Sequence, residues 1–357
     1  MVDGQSAATP VPGAVVIWTG AEPTIQAFRI PPGGLVLGRE LLTTTTDDRI
    51  SRQHARVAWR DRGFVVTDLG SRNGTYTGGN PLVDREVTVT APSVVRTGRT
   101  VSVLLDDIRR FEDAAIASAS DAIIGPSTAP LWRAVEQVAL AGDNLVILGE
   151  PGTGKGRMAR GYARARNRHE SVFNPLIQAV PLERVVSAAT GTLILEQVGK
   201  LAAPDVATLT RLIARPELRF VTTAITQLDH MGLPAELAAA LSTRTIAVPP
   251  LRDRPDEMAF LVHDAVRGAE PGLQIHSTLV EVCLLRPWPG NVRELVAEVG
   301  RTAHTVAAQG KNNIRGEDLD NDAGHLMVGA PTVNTAVVAT ATNRPRRKRN
   351  SSRPSEE

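Results

Sequence analysis

Aromatic side chains are scarce in this 357-residue sequence, at 3%. Its cores must therefore be assembled from Ala, Val, Leu and Ile. A single cysteine, Cys283, excludes an intramolecular disulfide and fits a reducing compartment. It lies in the apolar run Val282-Cys283-Leu284-Leu285, where core packing is its expected role. No apolar run reaches the length that crosses a bilayer, and no basic-plus-apolar leader opens the chain. A cytoplasmic protein without membrane contact is the expectation. The net charge is only +2, which says little about partners. The pI near 9.0 owes much to a basic cluster in the last residues. With 42% hydrophobic and 22% charged residues the chain is ordinary globular material, long enough for two or three domains.

The α/β half is organised around Gly149-Glu150-Pro151-Gly152-Thr153-Gly154-Lys155-Gly156. An apolar run, 144–148, precedes it and reads as a buried strand. Residues 157–164 follow it and read as the start of a helix. Strand, Gly-rich turn and helix form the setting of a phosphate-binding P-loop. Glycines let backbone N–H groups converge on phosphate oxygens, and the helix N-terminus adds positive potential. Gly149, Gly152, Thr153, Gly154, Lys155 and Gly156 are the candidate nucleotide-binding residues. Lys155 is placed to reach the β- and γ-phosphates. Gly156 stands where a Ser or Thr hydroxyl would hold Mg²⁺.

Residues 1–12 are polar and Pro-containing and read as a flexible end. From 13 to 107 the segments are short and β-rich, with Gly, Pro, Asn or Asp in most gaps. That pattern predicts an all-β sandwich. Three spots in it carry more than architecture: Gly38-Arg39, Ile50-Ser51-Arg52-Gln53-His54-Ala55-Arg56, and Asp68-Leu69-Gly70-Ser71-Arg72-Asn73-Gly74-Thr75-Tyr76. Together they supply guanidinium groups, a hydroxyl and an amide at loop positions, the means to grip a phosphate and a peptide backbone. The order and spacing of these motifs resemble the forkhead-associated (FHA) domain. The resemblance implies phosphothreonine-peptide binding. Arg39 and Ser51 would contact the phosphate, Arg52 would support it, and Asn73 would hold the peptide backbone with Ser71 or Arg72 beside it. His54 would brace the loops.

Residues 108–121 have mixed charge and small side chains and read as a linker. Beyond them β and α candidates alternate, which predicts a parallel-sheet nucleotide-binding subdomain over 122–248. From 249 to 325 the pattern is helical and predicts a small lid subdomain. Residues 326–357 lose periodicity and read as a disordered basic tail ending in Arg344-Pro-Arg-Arg-Lys-Arg349. This tail offers weak, non-specific attraction to DNA and no helix pair of the helix-turn-helix kind. The overall expectation is an all-β sandwich followed by an α/β P-loop domain with a helical lid.

The second half is similar to the AAA+ domain of sigma-54-dependent transcriptional activators. The resemblance rests on the P-loop, on Gly191-Thr-Leu-Ile-Leu-Glu-Gln-Val-Gly199, on Pro249-Pro-Leu-Arg-Asp-Arg-Pro-Asp256 and on Trp288-Pro-Gly-Asn-Val-Arg-Glu-Leu295. It implies binding of ATP or ADP, with Arg293 as the sensor that reaches the nucleotide, and assembly into a homo-oligomer. The family's Walker B strand ends in Asp-Glu, and here it ends in Glu196-Gln197. Glu196 would be the Mg²⁺ ligand. Gln197 cannot polarise water as a carboxylate does. The polar-sensor position holds Ala224-Ile225, and the trans-acting arginine positions hold Pro234 and Ala240. Only 17 residues separate Phe173 from Gly191, too few for the family's sigma-54-contacting loop. The resulting expectation is a phosphothreonine-reading regulator whose partner is the substrate of a Ser/Thr protein kinase. Its AAA+ domain would bind ATP and hydrolyse it poorly, without direct sigma-54 contact. The alternative is an active ATP-hydrolysing sigma-54 activator.

Overall fold

A computed structural model describes residues 9–42, 45–119, 122–166, 169–177, 181–186 and 191–325. Thr43, Thr44 and the basic tail lie outside the described residues.

Ten strands form the N-terminal sandwich: β1 (Gly13–Thr19), β2 (Glu22–Arg29), β3 (Leu35–Leu37), β4 (Ala55–Arg60), β5 (Gly63–Asp68), β6 (Thr75–Thr77), β7 (Asn80–Pro81), β8 (Glu86–Val89), β9 (Ser93–Thr97) and β10 (Thr100–Leu105). They build a six-stranded sheet, β2-β1-β10-β9-β6-β7, and a four-stranded sheet, β3-β4-β5-β8. Two adjacent strands of the larger sheet, β1 and β10, are buried along their whole length. Side chains alternate between faces with period two. Ala14, Val16 and Leu104 therefore point into the sandwich, against Leu35, Leu37, Val57, Phe64, Leu42 and Ile50. Val15, Ile17, Val101, Val103 and Leu105 point the other way. The pairing of β1 shifts register between Val16 and Trp18, which turns Trp18 to that second face too.

The segment read as a linker starts as packed structure. Ile108 and Phe111 are fully buried, and Ile108 lies against β1 beside Gly13. Mixed charge around two apolar anchors hides such packing from a compositional reading. A short hairpin follows, β11 (Ala117–Ala119) with β12 (Ala122–Ile124).

The α/β unit contains α1 (Ala129–Ala141), β13 (Leu145–Leu148), α2 (Lys155–Ala165), β14 (Glu170–Phe173), α3 (Leu182–Val186), β15 (Gly191–Glu196), α4 (Ala203–Leu212), β16 (Leu218–Ala224), α5 (Ala235–Leu241) and β17 (Arg244–Ala247). Its five-stranded sheet runs β14-β15-β16-β13-β17, parallel throughout. Strands covered by helices on both faces read as near-continuous apolar runs, as Leu-Val-Ile-Leu in β13 does. The carboxyl ends of β13, β15 and β16 meet at one edge. That edge is where an open parallel sheet holds its ligands.

The helical subdomain comprises α6 (Pro255–Ala269), α7 (Ser277–Leu285) and α8 (Asn291–Ala308). Trp288 is fully buried at its centre and donates Nε1–H to the carbonyl of Cys283 at 2.7 Å. Burial pushes the Cys283 thiol up to about 12, which makes it an inert core group. No helix among the described residues is long and apolar enough to cross a membrane.

The outward face of the sandwich's larger sheet does not meet solvent. It packs on α6 and α7, and Val15, Ile17, Trp18, Val101, Val103 and Leu105 join Leu261, Val262, Leu279 and Cys283 in one core. Full burial of each aliphatic side chain contributes about 1.5–3 kcal/mol. At the edge of this seam Arg96 Nε lies 2.5 Å from Glu281 Oε2, with the side chains 11% and 4% exposed. The Arg96 guanidinium also stacks 3.7 Å from the centre of the Tyr76 ring. Breaking such a pair strands a buried charge, so Arg96→Ala or Glu281→Ala should each cost about 3–5 kcal/mol, while the apolar double variant Arg96→Met/Glu281→Leu should recover most of it. Urea unfolding of the three variants checks this. Single variants within about 0.5 kcal/mol of the parent would show that the pair is not buried in solution.

Candidate functional site

Two arrangements of polar residues stand out, one at the loop end of the sandwich and one at the strand ends of the α/β unit. At the loop end, Arg39 donates from Nη2 to the Ile50 carbonyl at 2.8 Å. The Ser51 hydroxyl accepts the Arg72 backbone N–H at 3.3 Å. Asn73 donates from Nδ2 to the Arg49 carbonyl at 2.6 Å. The three motifs far apart in sequence thus converge. Arg39, Arg52 and Arg72 are exposed, and Ser51 is half-buried between them.

Beneath them lies a buried bracing layer. His54 is fully buried. Its Nδ1 accepts the Ser51 N–H at 3.1 Å, and its Nε2 lies 3.0 Å from the Gly74 carbonyl, to which it donates. Burial, above all, lowers its pKa below the ordinary histidine value. Asp68 is a site residue that the sequence reading passed over. Its Oδ2 accepts from Ser71 at 2.7 Å and Thr75 at 2.6 Å, and its Oδ1 from the backbone of Gly70 and Ser71. Burial alone would raise it, but the hydrogen bonds from Thr75 and Ser71 outweigh that and hold it at about 2. Ser71 is therefore engaged as a brace, with its hydroxyl turned to Asp68. The Asp-x-Gly-Ser spacing is the available sequence signal, because Asp side chains cap turns two residues on. Asp47, 2% exposed, ties the Arg49 and Arg99 backbones and the Thr100 hydroxyl together.

At the strand ends, Gly149, Gly152 and Gly154 take φ of 153°, 76° and 100°, values that side chains resist. The turn they form delivers the chain into α2 at Lys155. A Cβ on Gly152 would stand 1.9 Å from the Gly290 carbonyl, so the loop is pressed against the helical subdomain. Glu150 receives two hydrogen bonds from Arg252, at 3.0 and 2.7 Å, and a third from Asn291 at 3.1 Å. Asn291 also donates to the Pro151 carbonyl, and Arg254 donates to the Thr153 carbonyl at 3.2 Å. Lys155 Nζ folds onto the carbonyls of Gly149 and Glu150, each at 2.7 Å. Burial, helped by Arg293, lowers its pKa to about 8.

The loop borders a cavity of about 990 Å³. Gly152, Gly154, Lys155, Gly156, Glu196, Gln197 and Arg293 line it, whereas Gly149 and Thr153 lie in the supporting turn. Asn174 donates to Glu196 Oε2 at 3.1 Å and fixes that carboxylate; the sequence reading did not single it out. Gln197 takes the left-handed conformation, φ 53°. Ala224 and Ile225 line the cavity, and so does Thr223, one residue before the aligned sensor position. Pro234 and Ala240 lie on or beside α5, with Pro234 as its N-cap. Arg244 is engaged with Asp143 at 3.0 Å.

The donor set offers a divalent cation one carboxylate and no hydroxyl beside the P-loop lysine. Glu196 is the cavity's one carboxylate, Gly156 has no hydroxyl and Gln197 is an uncharged amide. No cluster of three acidic, His or Cys side chains suited to a metal occurs among the described residues. Mg²⁺ prefers an octahedral oxygen shell built on carboxylates, waters and substrate phosphates.

A family model for the FHA domain matches residues 35–98, and one for the sigma-54 interaction domain matches residues 125–251. The chain thus carries a region that matches the FHA domain, followed by one that matches the sigma-54 interaction domain. The FHA match spans the three loop motifs, and the sigma-54 interaction domain match spans the P-loop and Glu196. The alginate biosynthesis transcriptional regulatory protein AlgB of Pseudomonas aeruginosa is 26% identical over 241 residues, 55% of this chain and 52% of that protein. The DNA-binding transcriptional regulator NtrC of Rhizobium meliloti is 28% identical over 222 residues, 48% of this chain and 46% of that one. The chain thus spans about half the length of these relatives. Among solved structures, NtrX from Brucella abortus in complex with ADP superposes with a TM-score of 0.50 at 20% identity, over 61% of this chain and 58% of that one. At that identity the match speaks for the fold alone.

His54 is held neutral in the folded FHA domain, with a pKa below its unfolded value. The unfolded chain then binds the extra proton, so stability is lost as the pH falls below about 6.5. His276, also lowered by burial, acts in the same direction. Thermal unfolding midpoints should drop between neutral and mildly acidic pH, and His54→Gln should flatten that dependence. An unchanged slope in this variant would remove His54 from the account.

Proposed function

We propose that this chain is a regulatory protein of the transcriptional-activator type that reads phosphothreonine through its FHA loops and holds ATP or ADP without efficient turnover. One observation carries the reading. The cavity at the P-loop is lined by Lys155 and Arg293 but, among the described residues, by a single carboxylate, with an amide at the position that should activate water. Phosphoryl transfer depends on positioning and charge stabilisation of an attacking water as well as on phosphate binding. Binding can survive without that residue, and hydrolysis suffers.

The phosphopeptide reading rests on Arg39, Ser51, Arg52 and Arg72 gathered at one loop end over a braced base. Charge-assisted hydrogen bonds from arginines are the usual means of holding a phosphate dianion. The partner is then a phosphothreonine-bearing protein, the substrate of a Ser/Thr kinase. Asn73 supports this role by fixing the Arg49 loop. The relatives' names place them in transcriptional regulation, and the solved NtrX structures include ADP- and ATP-bound forms. Homo-oligomerisation accompanies this reading. Direct sigma-54 contact does not, given the short span between Phe173 and Gly191.

A second reading, a working ATPase, draws on Arg293 in the cavity wall and on Thr223, whose position there could supply a polar contact.

Purified protein should bind a fluorescent ATP analogue, and Lys155→Ala should weaken binding by about ten-fold or more. Phosphate release should stay near background; brisk release abolished by Lys155→Ala would favour the working ATPase instead. Affinity should decline as the pH rises through about 8, where Lys155 gives up its proton. Arg39→Ala should cost about 1.5–3 kcal/mol of phosphothreonine-peptide binding, with the unphosphorylated peptide unbound throughout. Equal affinity for both peptides, measured by calorimetry, would refute phosphothreonine reading.

A further inference from the structure

The space above Gly156 is already claimed. A Cβ there would stand 3.2 Å from Glu196 Oε1 and 3.8 Å from Arg160 Nη1. A guanidinium and a carboxylate therefore flank the place where a side chain following the P-loop lysine would stand. Around it the cavity is strongly basic. Lys155, Arg157, Arg160, Lys200 and Arg293 line it, and the only acid among its described lining residues is Glu196, one of whose oxygens already accepts from Asn174. Arg160's acidic neighbour, Glu170, stands 3.9 Å away and is not part of the lining. The lining carries an excess of about four positive charges. A metal-free nucleoside triphosphate carries about four negative charges at neutral pH, and its magnesium complex about two. The uncomplexed anion matches the cavity, and the complex leaves it under-neutralised.

We propose that this cavity binds its nucleoside polyphosphate as the metal-free anion, with the Arg160 guanidinium standing in the place of the divalent cation. The proposal rests on the nucleotide-binding reading above. Arginine suits the task because its charge is permanent and its planar fork meets two phosphate oxygens at once. Glu196, lacking a metal to ligate, is held by Asn174 and repels excess phosphate charge. Loss of the metal also deepens the loss of turnover, since no ion remains to neutralise charge developing on the transferring group.

The test is a titration of the full-length protein with a fluorescent ATP analogue, in excess EDTA and again in millimolar magnesium. Affinity should be as high or higher in EDTA. Arg160→Ala should weaken binding in EDTA by about ten-fold, and magnesium should restore part of the loss, since a free metal then replaces the missing charge. Glu196→Gln should tighten binding in EDTA by removing repulsion, and it should not weaken binding in magnesium. Binding at least ten-fold tighter in magnesium, abolished by Glu196→Gln, overturns the proposal and leaves the nucleotide pocket standing. Unchanged EDTA affinity in Arg160→Ala, with circular dichroism matching the parent, also overturns it. No binding in either buffer overturns the nucleotide reading itself.

Discussion

Two paired strands buried on both faces, β1 and β10, hold this molecule together. In an isolated sandwich the outer face of β1 and β10 would be solvated and would carry polar residues at alternate positions. Here both faces are apolar, because one closes the sandwich and the other closes the helical subdomain. The two strands thus belong to two cores at once, and neither unit is complete without the other. The Arg96–Glu281 pair lies at the edge of this seam, where breaking it would strand a buried charge.

The helical subdomain in turn holds the P-loop. Arg252 and Asn291 grip Glu150, Arg254 reaches the Thr153 carbonyl, and Gly290 lies against Gly152. Arg254 and Glu257 pair inside the protein, and Glu257 also accepts from the Gly125 backbone at the entry to the α/β unit. A chain of contiguous packed and hydrogen-bonded groups therefore runs from the FHA sheet through α6 to the phosphate-binding turn. It is a physical connection between the two sites, each of them built where loops leave a rigid sheet.

Much of the architecture was legible in the sequence because it rests on periodicity and turn chemistry. The run 144–148 could only be a covered strand, and the glycines at 149, 152 and 154 mark a turn with φ values closed to other residues. The converging loop motifs announced themselves by residue type. Their supports were harder to see. Asp68, Asn174 and Asn291 look like ordinary polar residues in loops or at element ends, and their importance comes from partners as much as 141 positions away. Ile108 and Phe111 were obscured in the same way, as two apolar residues in a stretch whose composition reads as linker.

Local chemistry, written residue by residue, determined which groups the sequence could put forward for phosphate: Arg39 and Ser51 on one side, Lys155 and Arg293 on the other, with an amide at 197. The tertiary structure alone decided what those groups face. Only folding brings Arg160 and Glu196 together over a glycine that has no side chain of its own, and only folding turns a solvated sheet face into a shared core. The reason is that burial and charge are sums over neighbours, and most of those neighbours are distant in the chain.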